Sequence, residues 1–168
     1  MACAITLNGI AYDCQPSVGG IKEVYLHAGF ADGMFTLDAS GESATALTVT
    51  SGWTKYEFRR GTGSMTSTLN VDEANGVNYV QTDLSLSFAK QETAKRIEMA
   101  ALAVGEVQAL VVDCNNHKWA LGFNEGVAAS AAGAETGAAR GDGNKYTLTL
   151  TDYSESFPYE FTGDLPTA

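Results

Sequence analysis

The side chains of this 168-residue sequence that could do acid/base or metal chemistry are two histidines, three cysteines and twenty carboxylates. His27 and His117 titrate near neutral pH, but neither has an obvious nucleophile beside it in the sequence. Cys3, Cys14 and Cys114 lack the paired spacing that zinc sites use. We therefore expect no enzymatic activity, no metal site and no cofactor, although a pair of carboxylates distant in sequence stays an open alternative.

Three short motifs resemble functional signatures and have simpler explanations. Gly61-Thr62-Gly63 lacks the third glycine and the following helix of a dinucleotide fingerprint, which leaves a hairpin turn. Asp113 to His117 lacks the glycine and the distal glutamate of a calcium loop. Arg140-Gly141-Asp142 matches a cell-adhesion tripeptide, but three residues in a Gly-rich stretch arise easily by chance.

Charge and composition exclude several classes of protein. Twenty Asp and Glu against ten Lys and Arg give a net charge of −10, which disfavours binding to phosphate backbones or anionic membranes. With 45% apolar and 18% charged residues, the chain is neither disordered nor a coiled coil. No apolar run is long enough to span a bilayer, and the N-terminus does not have the pattern of a secretory signal. We expect synthesis in a cytoplasm.

Alternating apolar residues predict β-strands through most of the chain. Asn8-Gly9 predicts a two-residue hairpin that sets Cys3 opposite Cys14, either as packed thiols or as a disulfide. Strands are predicted at 21–28, from Leu47, at 55–59 and at 65–71, with a Thr62-Gly63 turn that pairs Tyr56 with Leu69. The segment 29–41 is predicted as an unusually apolar loop that covers the core or contacts a partner.

The longest predicted strand has Val80, Leu84, Leu86 and Phe88 on one face and a polar, almost uncharged second face. One helix is predicted over about 91–104, with Ala94, Ile97, Ala101 and Val104 as its apolar face and Gly105 ending it.

In the second half, residues 107–112 are apolar on both faces, which predicts a strand buried between layers. An Asn115-Asn116 turn then sets Val112 against Trp119. The Ala- and Gly-rich segment 126–144 is predicted as a long mobile loop. Further strands are expected near 145–151 and 157–161. The sequence thus predicts a mainly β fold: a β-sandwich or barrel-like antiparallel domain at 1–162, one flanking helix, and a loose tail at 163–168.

Two stretches and this order of elements resemble a known family. The stretches are Ala109 to Gly122, a hairpin following the helix, and Asp142 to Leu150, a late strand. Together they resemble the tail tube proteins of tailed bacteriophages and related tail-ring proteins. The resemblance covers most of the chain and rests on element order rather than on a diagnostic motif. It implies a virion protein that forms homo-oligomeric rings, usually hexamers, which stack into a tube and contact other tail or connector proteins.

An acidic or neutral polar wall would let DNA pass without binding it, because such a wall lacks the cations that grip phosphates. We expect the polar strand faces to line that lumen: Thr66, Thr68, Asn70, Gln81, Asp83, Ser85 and Ser87. Contacts between rings are expected from the two long loops: Phe30, Met34, Phe35, Glu135 and Arg140. The alternative is a monomeric β-sandwich that binds carbohydrate or protein, with Trp53, Tyr25 or Tyr79 as candidate docking aromatics.

Overall fold

The computed structural model describes residues 7–167, in which eleven strands and one helix form. The strands are β1 (Ile21–Ala28), β2 (Phe35–Leu37), β3 (Ser43–Leu47), β4 (Trp53–Tyr56), β5 (Ser64–Asp72), β6 (Val77–Ala89), β7 (Glu106–Asp113), β8 (Lys118–Leu121), β9 (Val127–Glu135), β10 (Lys145–Ser154) and β11 (Tyr159–Phe161). The helix α1 spans Thr93–Val104. The predicted mainly β fold with one helix is confirmed. No helix in the described part of the chain is long and apolar enough to cross a membrane.

The strands form one hydrogen-bonded network. Their order is β2-β3-β11-β8-β7-β9-β10-β6-β5, and β1 pairs with both β4 and β7. Neighbouring strands are antiparallel except β11 and β3, which run parallel. The largest apolar cluster combines side chains of β1, β7 and β8 with side chains of β6 and β10, so these two parts of the network pack against each other.

Strand β7 separates two apolar clusters. Its residues Val107, Ala109 and Val111 lie in the main cluster, while Leu110 and Val112 lie in a second cluster beneath β2 and β3. All five are buried, as predicted from the run of apolar residues on both faces.

The predicted pairing of Tyr56 with Leu69 is wrong, because both strands pair with other partners. Tyr56 pairs with Val24 of β1 and packs against Phe88, whereas Leu69 pairs with Val80 of β6. The chain turns at 59–62, but β4 ends at Tyr56 and does not pair with β5 as a hairpin.

The turn after β7 contains one more residue than expected. Val112 pairs with Lys118, rather than with Trp119, because the loop uses three residues and Asn116 adopts a left-handed φ of 67°. Asparagine tolerates this conformation, which is typical of three-residue hairpins.

The first half of the segment predicted as a mobile loop at 126–144 is a strand. Val127–Glu135 forms β9 and pairs with β10. Its small side chains suit this position, since a Cβ at Gly133 would lie 2.9 Å from Thr147 Oγ1. Composition alone suggested a loop, but backbone pairing needs no large side chains.

The two ends of the chain also differ from expectation. Residues 10–14 form no strand, and the side chains of Ile10 and Tyr12 are exposed. The predicted pairing of Cys3 with Cys14 lies outside the described residues. Leu165, in the segment predicted as a loose tail, packs against the second cluster.

The helix begins two residues later than its approximate predicted start and buries a different face. Leu102 is 6% exposed and Met99 packs against the main cluster, whereas Ile97 is 57% exposed. The predicted apolar face therefore points to solvent.

Replacing Leu102 by alanine tests this orientation. We expect a loss of about 2–4 kcal/mol in the free energy of unfolding, because the truncation leaves a cavity under the helix. The matched change Ile97→Ala should cost less than about 0.5 kcal/mol. Urea unfolding of both variants checks the prediction. A larger loss for Ile97→Ala than for Leu102→Ala would show that the helix buries the face predicted from sequence.

Candidate functional site

The register of β5 and β6 places the seven polar residues predicted to share a face on one side of the sheet. Thr66 pairs with Asp83 and Thr68 pairs with Gln81. Directly opposed residues of an antiparallel pair share a face. The burial pattern of β6 confirms the alternation, since Val80, Thr82, Leu84, Leu86 and Phe88 are buried between half-buried polar neighbours.

Strand β10 extends this polar face in a way that the sequence analysis did not anticipate. Thr147, Thr149 and Thr151 pair with Ser87, Ser85 and Asp83, respectively. The alternating Thr-Leu-Thr-Leu-Thr pattern was visible in the sequence, but the partner strand was not. Beyond β10, Gly133 and Ala131 of β9 continue the face with small residues. We call this four-stranded surface, formed by β5, β6, β10 and β9, the polar face.

Side-chain hydrogen bonds join the strands across the polar face. Thr151 Oγ1 donates to Asp83 Oδ1 at 2.6 Å, and Gln81 Nε2 lies 3.1 Å from Asp83 Oδ2. The hydroxyl oxygens of Ser85 and Thr149 are 3.3 Å apart, and those of Thr151 and Ser130 are 2.8 Å apart. These bonds tie β6 to β10 and β10 to β9 around Asp83.

The polar face has little charge. Asp83 is the carboxylate at its centre, and the sequence has no Lys or Arg from 61 to 89 or from 146 to 168. Lys145, at the margin, lies 3.7 Å from Glu135 on β9. Phosphate groups therefore meet no unpaired cation on the polar face of the described subunit.

Outside the polar face, two acidic residues lie at the start of β6 and several basic residues lie near its end. At the start of β6, the β5–β6 turn carries Asp72 and Glu73. At its other end, Arg59 and Lys145 line one cleft that also contains the carboxylate of Asp142. Among the described residues, Arg59, Arg60 and Arg140 are absent from the ion pairs within the subunit.

Of the residues predicted to contact neighbouring rings, two are buried and the others are at least partly exposed. Met34 and Phe35 are buried in the second cluster, so we withdraw these two contacts and retain the core-covering alternative for this part of the 29–41 loop. Phe30 is partly exposed. Glu135 ends β9, and Arg140 lies on the exposed loop between β9 and β10.

The other candidate residues have mainly structural surroundings. Trp53 and Tyr25 are buried, so they cannot dock a carbohydrate, whereas Tyr79 is exposed beside Tyr153 with ring centroids 5.9 Å apart. His117 Nδ1 lies 2.6 Å from Glu160 Oε1, and this carboxylate raises the pKa of the exposed imidazole. His27 packs beside the Trp53 ring.

Comparison with known proteins adds no further assignment. No family model, curated protein or solved structure matches the chain.

Replacing Thr151 by valine tests whether the polar face is tied together through Asp83. Valine keeps the shape but removes the hydroxyl that links Asp83 and Ser130, so we expect a loss of about 1–2 kcal/mol in the free energy of unfolding. Thr68→Val, at an exposed position on the same face, should change it by less than about 0.5 kcal/mol. Chemical denaturation distinguishes the two, and equal effects would show that the hydrogen bonds of Thr151 contribute nothing specific.

Proposed function

We propose that this protein is a structural subunit that assembles into rings, which stack into a tube through which DNA passes. Such an assembly would be the tail tube or a tail ring of a bacteriophage virion. The proposed ring is a homo-oligomer, with six subunits as in the family that the sequence resembles. In this arrangement the polar face lines the lumen and other tail or connector proteins close the tube ends.

The observation that carries the proposal is the continuity of the polar face across four strands. Hydroxyl and amide side chains cover it, Asp83 lies at its centre, and the cation at its margin is paired with Glu135. Non-specific DNA binding comes mainly from cations that neutralise phosphates and release counterions. A wall without free cations would let DNA slide.

The free edge of β5 supports contact between copies. Within the described residues β5 pairs only with β6, and Ser64 to Val71 carries no charge and no proline. Monomeric proteins usually protect so long an edge with charges, proline or a covering segment. Leu69 and Val71, at the end of this strand, are 50% and 58% exposed. A neighbouring subunit in the ring would cover both features.

The separation of charge along β6 supports stacking of rings. An acidic β5–β6 turn at one end and unpaired arginines at the other give a subunit with two complementary ends. Head-to-tail contacts between such ends are heterologous and build open, repeating assemblies. Arg140 and Glu135 remain our proposed contacts at one end of the subunit, and Phe30, beside the start of β7, remains a proposed contact elsewhere on its surface.

A carbohydrate-binding module is the second candidate function. The exposed pair of Tyr79 and Tyr153 favours it, because adjacent exposed rings can stack on a sugar. Such a module would bind its ligand as a monomer, whereas the proposed conduit acts only when assembled.

Introducing a cation on the polar face tests the conduit. Thr68→Lys should slow DNA release from assembled particles and make the rate depend on salt, because the new ammonium groups bind phosphates in every ring. Thr54→Lys, on β4 and away from the polar face, is the control and should leave release unchanged. If both variants release DNA at the same rate, the polar face does not line the lumen.

Charge reversal tests the stacking contact. Arg140→Glu and Glu73→Lys should each reduce stacking at least about tenfold, and the double variant should recover much of it because opposite charges face each other again. Sedimentation velocity measures the distribution between single rings and longer assemblies. Loss of stacking without recovery in the double variant would show that these two residues do not face each other.

A further inference from the structure

A narrow cleft at one end of the sandwich has a buried carboxylate in its wall. Asp152, near the end of β10, is 2% exposed. Its Oδ1 atom is buried without a hydrogen-bond partner, which is uncommon for a charged group. The cleft lies between the 122–126 loop and the 154–158 loop.

The backbone around Gly122 holds Asp152 in place. The N–H of Gly122 faces the Asp152 carboxylate and lowers its pKa, and the Gly122 carbonyl accepts a 2.9 Å hydrogen bond from Gln108 Nε2. Gly122 has a left-handed φ of 88°, and a Cβ there would lie 3.1 Å from Gln108 Cγ. The unpartnered oxygen is therefore fixed by the fold.

The cleft contains oxygen-bearing side chains and no cationic one. Besides Asp152, its polar lining consists of Asn124, Ser154, Glu155 and Ser156, and the rest of its wall is apolar or aromatic: Ala120, Phe123, Phe157, Pro158 and Tyr159. The sequence has no Lys or Arg from 119 to 139 or from 146 to 168. Burial, and to a smaller extent the charge of Glu125, raise the pKa of Asp152 to about 6. At neutral pH the carboxyl is still mostly ionised and has no positive partner.

The size and donor set of the cleft select the kind of ligand. Its volume of about 40 Å³ accommodates an ion with one or two waters, but no organic molecule, since one water needs roughly 10–15 Å³. Carboxylate, amide and hydroxyl oxygens favour hard cations. Calcium accepts irregular sets of oxygens, including waters and main-chain carbonyls, whereas magnesium demands near-octahedral geometry.

We propose that this cleft binds a calcium ion through the Asp152 carboxylate, with Asn124 and Glu155 as further oxygen donors. No group of three or more His, Cys, Asp or Glu side chains converges on a metal position within residues 7–167. The site would therefore be weak, with a dissociation constant of about 0.1–1 mM, as in calcium sites with few carboxylates. The inference does not depend on the proposed role in a tube.

Terbium luminescence gives a direct binding measurement, because Tb³⁺ replaces calcium and Tyr159 in the cleft wall can sensitise its emission. We expect sensitised emission from the full chain that calcium displaces. About 10 mM calcium should also raise the Tm by about 3–5 °C relative to chelator, as binding to the folded state alone requires. Magnesium at the same ionic strength should raise it by less than half as much.

Asp152→Asn should abolish both effects while retaining the fold, because asparagine has nearly the same size and shape but carries no negative charge. Glu57→Gln, at an exposed position just after β4, is the matched control and should retain both. Tyr159→Phe should lose the terbium emission but keep the calcium-dependent Tm shift. No calcium-dependent shift in the unmodified chain, an equal shift with magnesium, or an undiminished shift in Asp152→Asn would each overturn the proposal.

Discussion

The two-residue alternation of strand β6 is the constraint on which both the core and the polar face depend. Its inward side chains at Val80, Leu84 and Leu86 fill the main cluster, while the residues between them are polar and face outward. Shifting the strand by one residue would expose the apolar set and bury Asp83. Because β5 and β10 both pair with β6, this alternation aligns their polar residues with those of β6.

Local sequence patterns predicted the positions of strands and helix better than they predicted which strands pair with each other. The strand at β6, the doubly buried β7 and the end of the helix at Gly105 follow from periodicity and capping within short segments. The pairing of Tyr56 with Val24 does not, because it is decided by packing between segments far apart in the chain. Likewise β9 has few large apolar residues, and its place in the sheet depends on the hydrogen-bonding edge that β10 offers.

The candidate site was predictable to a similar degree. Alternation alone placed the seven residues of β5 and β6 on one side, and the structure confirms that they share it. The threonines of β10 were missed as part of the site because their neighbour could not be assigned from sequence. From sequence, the 29–41 loop could either cover the core or contact a partner. Met34 is buried, so at this position the loop covers the core. Asp152 was unremarkable in sequence, since its isolation from cations exists only in the folded chain.

The weakly charged polar face, the uncharged free edge of β5 and the separation of Asp72 and Glu73 from Arg59, Arg60 and Arg140 have no evident role in a solitary subunit. The assembly that we propose would account for them together, because lateral contacts would cover the edge, axial contacts would pair the charges, and the remaining polar face would enclose a passage. The most direct measurement is an electron-microscopy reconstruction of the species that the purified protein forms at high concentration. We expect hollow rings or tubes whose inner wall is made by β5, β6, β10 and β9. Separate single subunits at every concentration, or assemblies in which the polar face points outward, would contradict the conduit.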